Sequence, residues 1–90
     1  MKLYCLICSD KKDSLDLRMQ NREEHLKYVQ DSGLVFFAGP LLSEKDIMVG
    51  SLIILNVTNR SEAKEWSKND PYNRAGLFKN IKIIKFKHLI

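Results

Sequence analysis

The sequence predicts an α+β domain of order β-α-β-β-α-β, a ferredoxin-like antiparallel sheet with two helices on one face. Three observations predict it. The chain has 90 residues, enough for one hydrophobic core and too few for two, so residues 1–90 are expected to form a single domain. Apolar runs of strand length alternate with segments of helical spacing. Right-handed crossovers between such elements return both helices to the same side of the sheet.

The elements follow in order. Residues 2–8, "KLYCLIC", are apolar on both faces, as in a central strand. In "KKDSLDLRMQNREEHLKYVQDSG", Ser14 is placed to N-cap a helix and Gly33 to stop it, while Leu15, Met19, Leu26 and Val29 recur at helical spacing. "LVFFAGP" reads as a short second strand ended by Gly39-Pro40. The polar loop "LSEKD" leads to "GSLIILNV", another central strand. Ser61 is placed to cap "EAKEWSKN", whose Ala63 and Trp66 form the buried stripe. The last strand is "NIKIIKFKHLI", where the alternation slips between Ile83 and Ile84 and predicts a bulge. The strands are apolar on both sides, yet the helices cover only one. The helix-free face is therefore expected to meet a second copy of the chain in a homodimer.

Composition narrows the function classes. The net charge of +4 is modest and its basic residues are dispersed, which favours anionic ligands without choosing among them. No segment is long enough to span a membrane, so no membrane association is expected. "MKLYCLICSDKK" has no small-residue cleavage site before charges intervene and reads as a strand, so the expected location is cytoplasmic. The N-x-S/T matches at Asn56 and Asn59 then carry no weight. RNA-recognition modules share this element order but stack bases on aromatics of the central strands. "GSLIILNV" has none and "LYCLIC" offers only Tyr4, which argues against nucleic acid.

Cys5 and Cys8 form a C-x-x-C. On a strand their Cα atoms lie about 10 Å apart, too far for a disulfide, with side chains on opposite faces. His25 and His88 have no zinc-finger spacing. Two buried, inert thiols and no metal are expected. The chain contains neither a Gly-rich phosphate loop nor H-E-x-x-H, so no cofactor is expected.

Two places can carry chemistry. Arg18, Arg22 and His25 fall at i, i+4 and i+7 on one helix face. The plain reading is a solvated helix face with an ordinary surface His; the functional one is an anionic ligand with a proton-transferring imidazole. Asp70 precedes Pro71, so the second helix should stop near Asn69. Asp70 can then N-cap a short turn with Pro71 at its first position and Gly76 as its exit. One carboxylate oxygen suffices for a cap, which leaves the other for a catalytic partner. Parallel helices would bring the later part of the first near the end of the second, making His25 and Asp70 neighbours. Gly39-Pro40 reads as a turn or as a close approach of backbone to ligand, and Tyr72 as a pocket wall or a lid over the core. Ser51 has no base beside it in sequence and is assigned no nucleophilic role. His88 is read as a solvent or interface residue.

"R-x-x-x-R-x-x-H-L", "F-F-A-G-P", "G-S-L-I-I" and "E-A-x-x-W-x-x-x-D-P-Y-x-x-A-G-L-F", in that order from Ser14 to Phe86, resemble the YciI family of YCII-related domain proteins. The resemblance implies a dimeric α+β barrel of ferredoxin-like subunits and an active site centred on a histidine and an aspartate. Residue by residue these are His25 and Asp70, accompanied by Arg18, Arg22, Gly39, Pro40 and Tyr72. The segment between Pro40 and Gly50 departs from the family pattern.

The expected function is that of a small cofactor-free enzyme. Asp70 would orient His25, which would act as base and then acid on a small anionic or ring substrate gripped by Arg18 or Arg22. Isomerase, lyase or dehydrohalogenase-like chemistry falls within that description. The alternative is a non-catalytic dimeric module that binds a metabolite or a partner protein in the same cleft.

Overall fold

The computed structural model describes residues 2–90. Its elements are β1 (Leu3–Asp10), α1 (Leu15–Gln20), α2 (Arg22–Ser32), β2 (Val35–Leu42), β3 (Met48–Asn56), α3 (Arg60–Asn69), α4 (Pro71–Arg74) and β4 (Phe78–Phe86). The sheet has the order β2-β3-β1-β4 with every neighbouring pair antiparallel. This is the expected ferredoxin-like α+β arrangement.

Strand alternation divides the side chains between two faces. Tyr4, Leu6 and Cys8 of β1 join Ile53 and Leu55 of β3 under the helices, where Ala63, Trp66, Tyr72 and Leu77 complete the core. On the other face Cys5 stands between Ile54 and Ile84, and Leu3 between Asn56 and Phe86. Phe37, Ile84 and Phe86 are exposed there at 47%, 48% and 38%. Beyond β4 the His88 ring meets Phe36 of β2 edge-on, with 5.3 Å between ring centroids.

Several local expectations are corrected. The first helix is broken at Asn21, whose side-chain amide donates to the Leu17 carbonyl while its backbone N–H bonds to Arg18. Ser14 occupies the N-cap position, but its hydroxyl donates to the Lys12 carbonyl and caps nothing. The cap of α3 is Asn59 rather than Ser61. Its side chain accepts from the Glu62 amide, and Glu62 reaches back past the cap to the Thr58 amide, which resembles a capping box displaced by one residue. β2 does not end at Gly39-Pro40 but continues to Leu42, because an edge strand tolerates proline. No register shift separates Ile83 from Ile84. The irregularity in that ladder lies at Ser9/Asp10, and the apparent slip reflects Ile84 facing the helix-free side.

The helices also run antiparallel, not parallel. His25 Nδ1 meets Asp70 and, one turn on, the Tyr28 hydroxyl donates to the Trp66 carbonyl, so residues advancing along α2 meet residues receding along α3. The start of α2 therefore lies against the end of α3. That reversal, rather than the expected parallel course, brings His25 to Asp70.

Candidate active site

Asp70 is both the last corner of α3 and the N-cap of α4. Its backbone is extended (φ −61°, ψ 126°), as a residue before proline must be. Its Oδ1 accepts the Tyr72 backbone N–H at 3.0 Å and lies 2.7 Å from His25 Nδ1. The same oxygen thus serves the cap and the pair, where the two roles were expected to fall on different oxygens. Both residues are buried, His25 at 6% and Asp70 at 1% exposure. An acceptor already receiving an amide proton favours the tautomer in which Nδ1 carries the hydrogen, leaving Nε2 with the lone pair.

Tyr72 is locked over this pair by the turn that Asp70 caps. Its ring stacks on the His25 imidazole at 3.9 Å between centroids and 13° between planes. Burial pushes the Tyr72 phenol up, only partly offset by the nearby Arg18 charge, so the ring is neutral at physiological pH. Tyr72 is wall and core at once, because it also packs among the buried apolar residues.

The break at Asn21 separates the fates of the two arginines. Arg18 is drawn inward to 2% exposure, where Nε and Nη2 donate to the two Asp10 oxygens at 2.8 and 2.9 Å. Nη2 also donates to Ser51 Oγ at 2.9 Å, and the guanidinium carbon lies 4.7 Å from the Tyr72 ring centroid. Burial works against the Arg18 charge, but the Asp10 carboxylate more than restores it and the guanidinium is held above its usual range. Arg22 stays exposed and has no ion-pair partner among the described residues.

These side chains line one cavity of about 360 Å³, within the size range of small-molecule sites. Arg18, Arg22, His25, Gly39, Pro40 and Tyr72 all border it, and Leu26, Val29, Val35, Met48 and Ile53 supply apolar walls. Asp70 lies behind His25 rather than in the wall. Cys8 is buried beneath the site, its thiol pushed up to about 12 chiefly by burial and then by the Asp70 charge. Sequence reasoning missed Asp10 and considered Ser51 only as a nucleophile, a role it was denied. A Ser after Gly50 carries a faint signal, since a Cβ at Gly50 would lie 2.3 Å from the Cys8 carbonyl oxygen. Only glycine allows that close approach of β3 to β1. Among the described residues no three His, Cys, Asp or Glu side chains converge on a metal position.

Residues 2–87 match the YCII-related domain. The chain belongs to the YCII-related domain family. Protein YciI of Escherichia coli O6:H1 is 32% identical over 94 residues, covering 94% of this chain and 96% of that protein. An uncharacterized protein of Haemophilus influenzae is 30% identical over 93 residues, covering 93% and 95%. A solved structure of 5-chloro-2-hydroxyhydroquinone dehydrochlorinase from Burkholderia phenoliruptrix AC1100, in complex with 2,5-dihydroxybenzoquinone, superposes with a TM-score of 0.86 at 28% identity. It covers 96% of this chain, which covers 94% of it. An antibiotic biosynthesis monooxygenase superposes with a TM-score of 0.62 at 10% identity over the full length of both chains, which shows the fold alone. Among the described residues of this YCII-related chain, no helix is long and apolar enough to cross a membrane.

Proposed function

We infer that this protein is a small acid–base enzyme in which His25 moves a proton on a small oxygen-bearing ring substrate. The observation that carries the reading is the buried 2.7 Å contact of His25 Nδ1 with Asp70, set at the edge of a cavity with apolar walls and one exposed cation. Asp70 orients the imidazole and stabilises its charged form. Nε2 then takes a proton from an acidic O–H or C–H, and returns it elsewhere or leaves it behind as a leaving group departs. Positioned acid–base groups of this kind contribute roughly 10²–10⁴ in rate. The likeness to a dehydrochlorinase whose ligand is a dihydroxybenzoquinone supports a ring substrate of similar size.

A second copy belongs to the same reading. The exposed Phe37, Ile84 and Phe86 on the helix-free face are apolar surface that a homodimer would cover.

The test is chloride release from 5-chloro-2-hydroxyhydroquinone, alongside binding of 2,5-dihydroxybenzoquinone. Wild type is expected to bind the quinone and turn over the chlorinated ring, with His25→Ala and Asp70→Asn losing turnover but keeping the quinone. Turnover unchanged in both variants would remove His25 and Asp70 from the chemistry. Tight quinone binding with no turnover of any chlorinated hydroquinone would favour a binding module in the same cavity.

A further inference from the structure

We propose that the Ser51 hydroxyl, backed by the Arg18 guanidinium, is the donor that holds a substrate oxygen in this cavity. The substrate then carries a carbonyl or phenolic oxygen conjugated with the proton that His25 removes. This rests on the acid–base reading above and adds the atom that meets the developing charge.

Ser51 sits in the middle of β3 at 3% exposure, pairs with Pro40 across the ladder, and borders the cavity. A hydroxyl has one hydrogen to donate and two positions to accept. Arg18 Nη2 fills one acceptor position at 2.9 Å, and a guanidinium cannot accept in return. Among the described residues this is the only hydrogen bond of the Ser51 side chain. Its hydrogen is therefore left for whatever occupies the cavity, since buried donors are seldom left without an acceptor.

Arg18 makes that hydrogen a better donor. Its fork is held by both oxygens of Asp10, so it cannot swing out to clamp a ligand carboxylate. Besides lying against the Tyr72 ring, it donates to Ser51. A cation donating to Oγ polarises the O–H behind it. Arg18 is thus a positioning residue, and Arg22 is the cation left free for the ligand.

The step balances with these groups alone. His25 Nε2 takes a proton, and the electron pair of the broken bond passes through the conjugated ring to the substrate oxygen. The Ser51 hydrogen bond strengthens as that oxygen becomes negative. The pair then returns, either to capture the His25 proton at another atom or to expel a leaving group as its anion. In the isomerisation the pair stays on the substrate; in the elimination the leaving group departs with its bonding pair and the proton passes from His25 to solvent, so no outside oxidant or reductant is needed.

The probes are para-substituted phenols of graded acidity, with the corresponding toluenes as controls that lack the oxygen. Wild type should bind the phenols more tightly as their acidity rises. Ser51→Ala should weaken phenol binding about ten- to a hundredfold, the worth of a hydrogen bond to a charged group, and flatten the dependence on acidity. Ser51→Thr, which keeps the hydroxyl, should restore both, and toluene binding should not change. Should Ser51→Ala fail to fold, the absorbance of 4-nitrophenol bound to wild type decides instead. A phenolate band displaced to shorter wavelength supports the donor, and an undisplaced band contradicts it. Phenols bound no better than toluenes, or equally well by Ser51→Ala, would overturn the proposal. The two readings separate cleanly: loss of turnover in His25→Gln with unaltered phenol binding in Ser51→Ala sinks Ser51 alone. The reverse pattern sinks the acid–base reading and leaves the oxygen site standing.

Discussion

His25 Nδ1 and Asp70 Oδ1 lie 2.7 Å apart, although 45 residues separate them in the chain. The oxygen between them also accepts the amide that starts α4. A structural cap and an imidazole partner are therefore one atom, and substitutions at Asp70 can separate the two.

Asp70→Asn keeps a good N-cap, since asparagine caps as well as aspartate. It removes the charge that steadies a protonated imidazole. Turnover should fall by roughly 10²-fold or more, while the thermal midpoint barely moves. Asp70→Ala should lose the same turnover and about 1 kcal/mol of stability besides. Urea denaturation and an activity assay on both variants check this. Equal stability of the two would show that the Tyr72 amide gains nothing from Asp70.

Arg18 and Asp10 form an ion pair with side chains 3% and 5% exposed. Lys27 and Asp31 form one on the surface, with side chains 76% and 64% exposed. Arg18→Ala strands a buried carboxylate and should cost about 3–5 kcal/mol. Lys27→Ala should leave stability almost unchanged, because solvent and salt screen an exposed helix pair. Equilibrium unfolding distinguishes the two. Similar losses would mean that water reaches Asp10.

The Cys8 thiol is raised from 9.0 to about 12 in the fold. The unfolded chain releases this proton above about pH 9 while the native chain keeps it, so the unfolded state binds fewer protons. Cys8 therefore lowers stability as pH rises from about 9 toward 12, at up to about 1.4 kcal/mol per pH unit. Below pH 9 its contribution is constant. Cys8→Ala or Cys8→Ser should flatten the alkaline limb of the stability profile, and native Cys8 should resist thiol reagents at pH 8. Rapid labelling of Cys8 in the folded protein would contradict its burial.

The helix-free face should hold two copies together. Ile84→Glu or Phe37→Glu places a charge on residues exposed at 48% and 47%. Light scattering should give twice the 10.5 kDa of one chain for wild type and a single chain for the variants. A monomeric wild type would leave the exposed face unexplained by self-association.

Much of this was legible in the sequence because it depends on short-range chemistry. Asp-Pro at the end of a helical segment has one good conformation, and the structure adopts it at Asp70. What was hidden turned on choices between near-equal local options. Thr58, Asn59 and Ser61 can each cap a helix, and Asn59 prevails with Glu62 three residues later, whose amide bonds Asn59 and whose carboxylate bonds the Thr58 amide. The break at Asn21 comes from its side chain bonding the Leu17 carbonyl, a competition that hydrophobic periodicity does not register. The link between Asp10 and Ser51 was hidden for a different reason. Each is defined by the buried Arg18 that links them across 8 and 33 residues, and no spacing rule connects a strand end, a helix and a central strand.

The most direct test is ¹⁵N NMR of the His25 ring in wild type and Asp70→Asn, with and without small phenols. Wild type should show the single tautomer with hydrogen on Nδ1, Asp70→Asn a mixture, and the Nε2 resonance should move as ligand is added to wild type. A His25 ring with mixed tautomers in wild type and no response to any ligand would contradict the account.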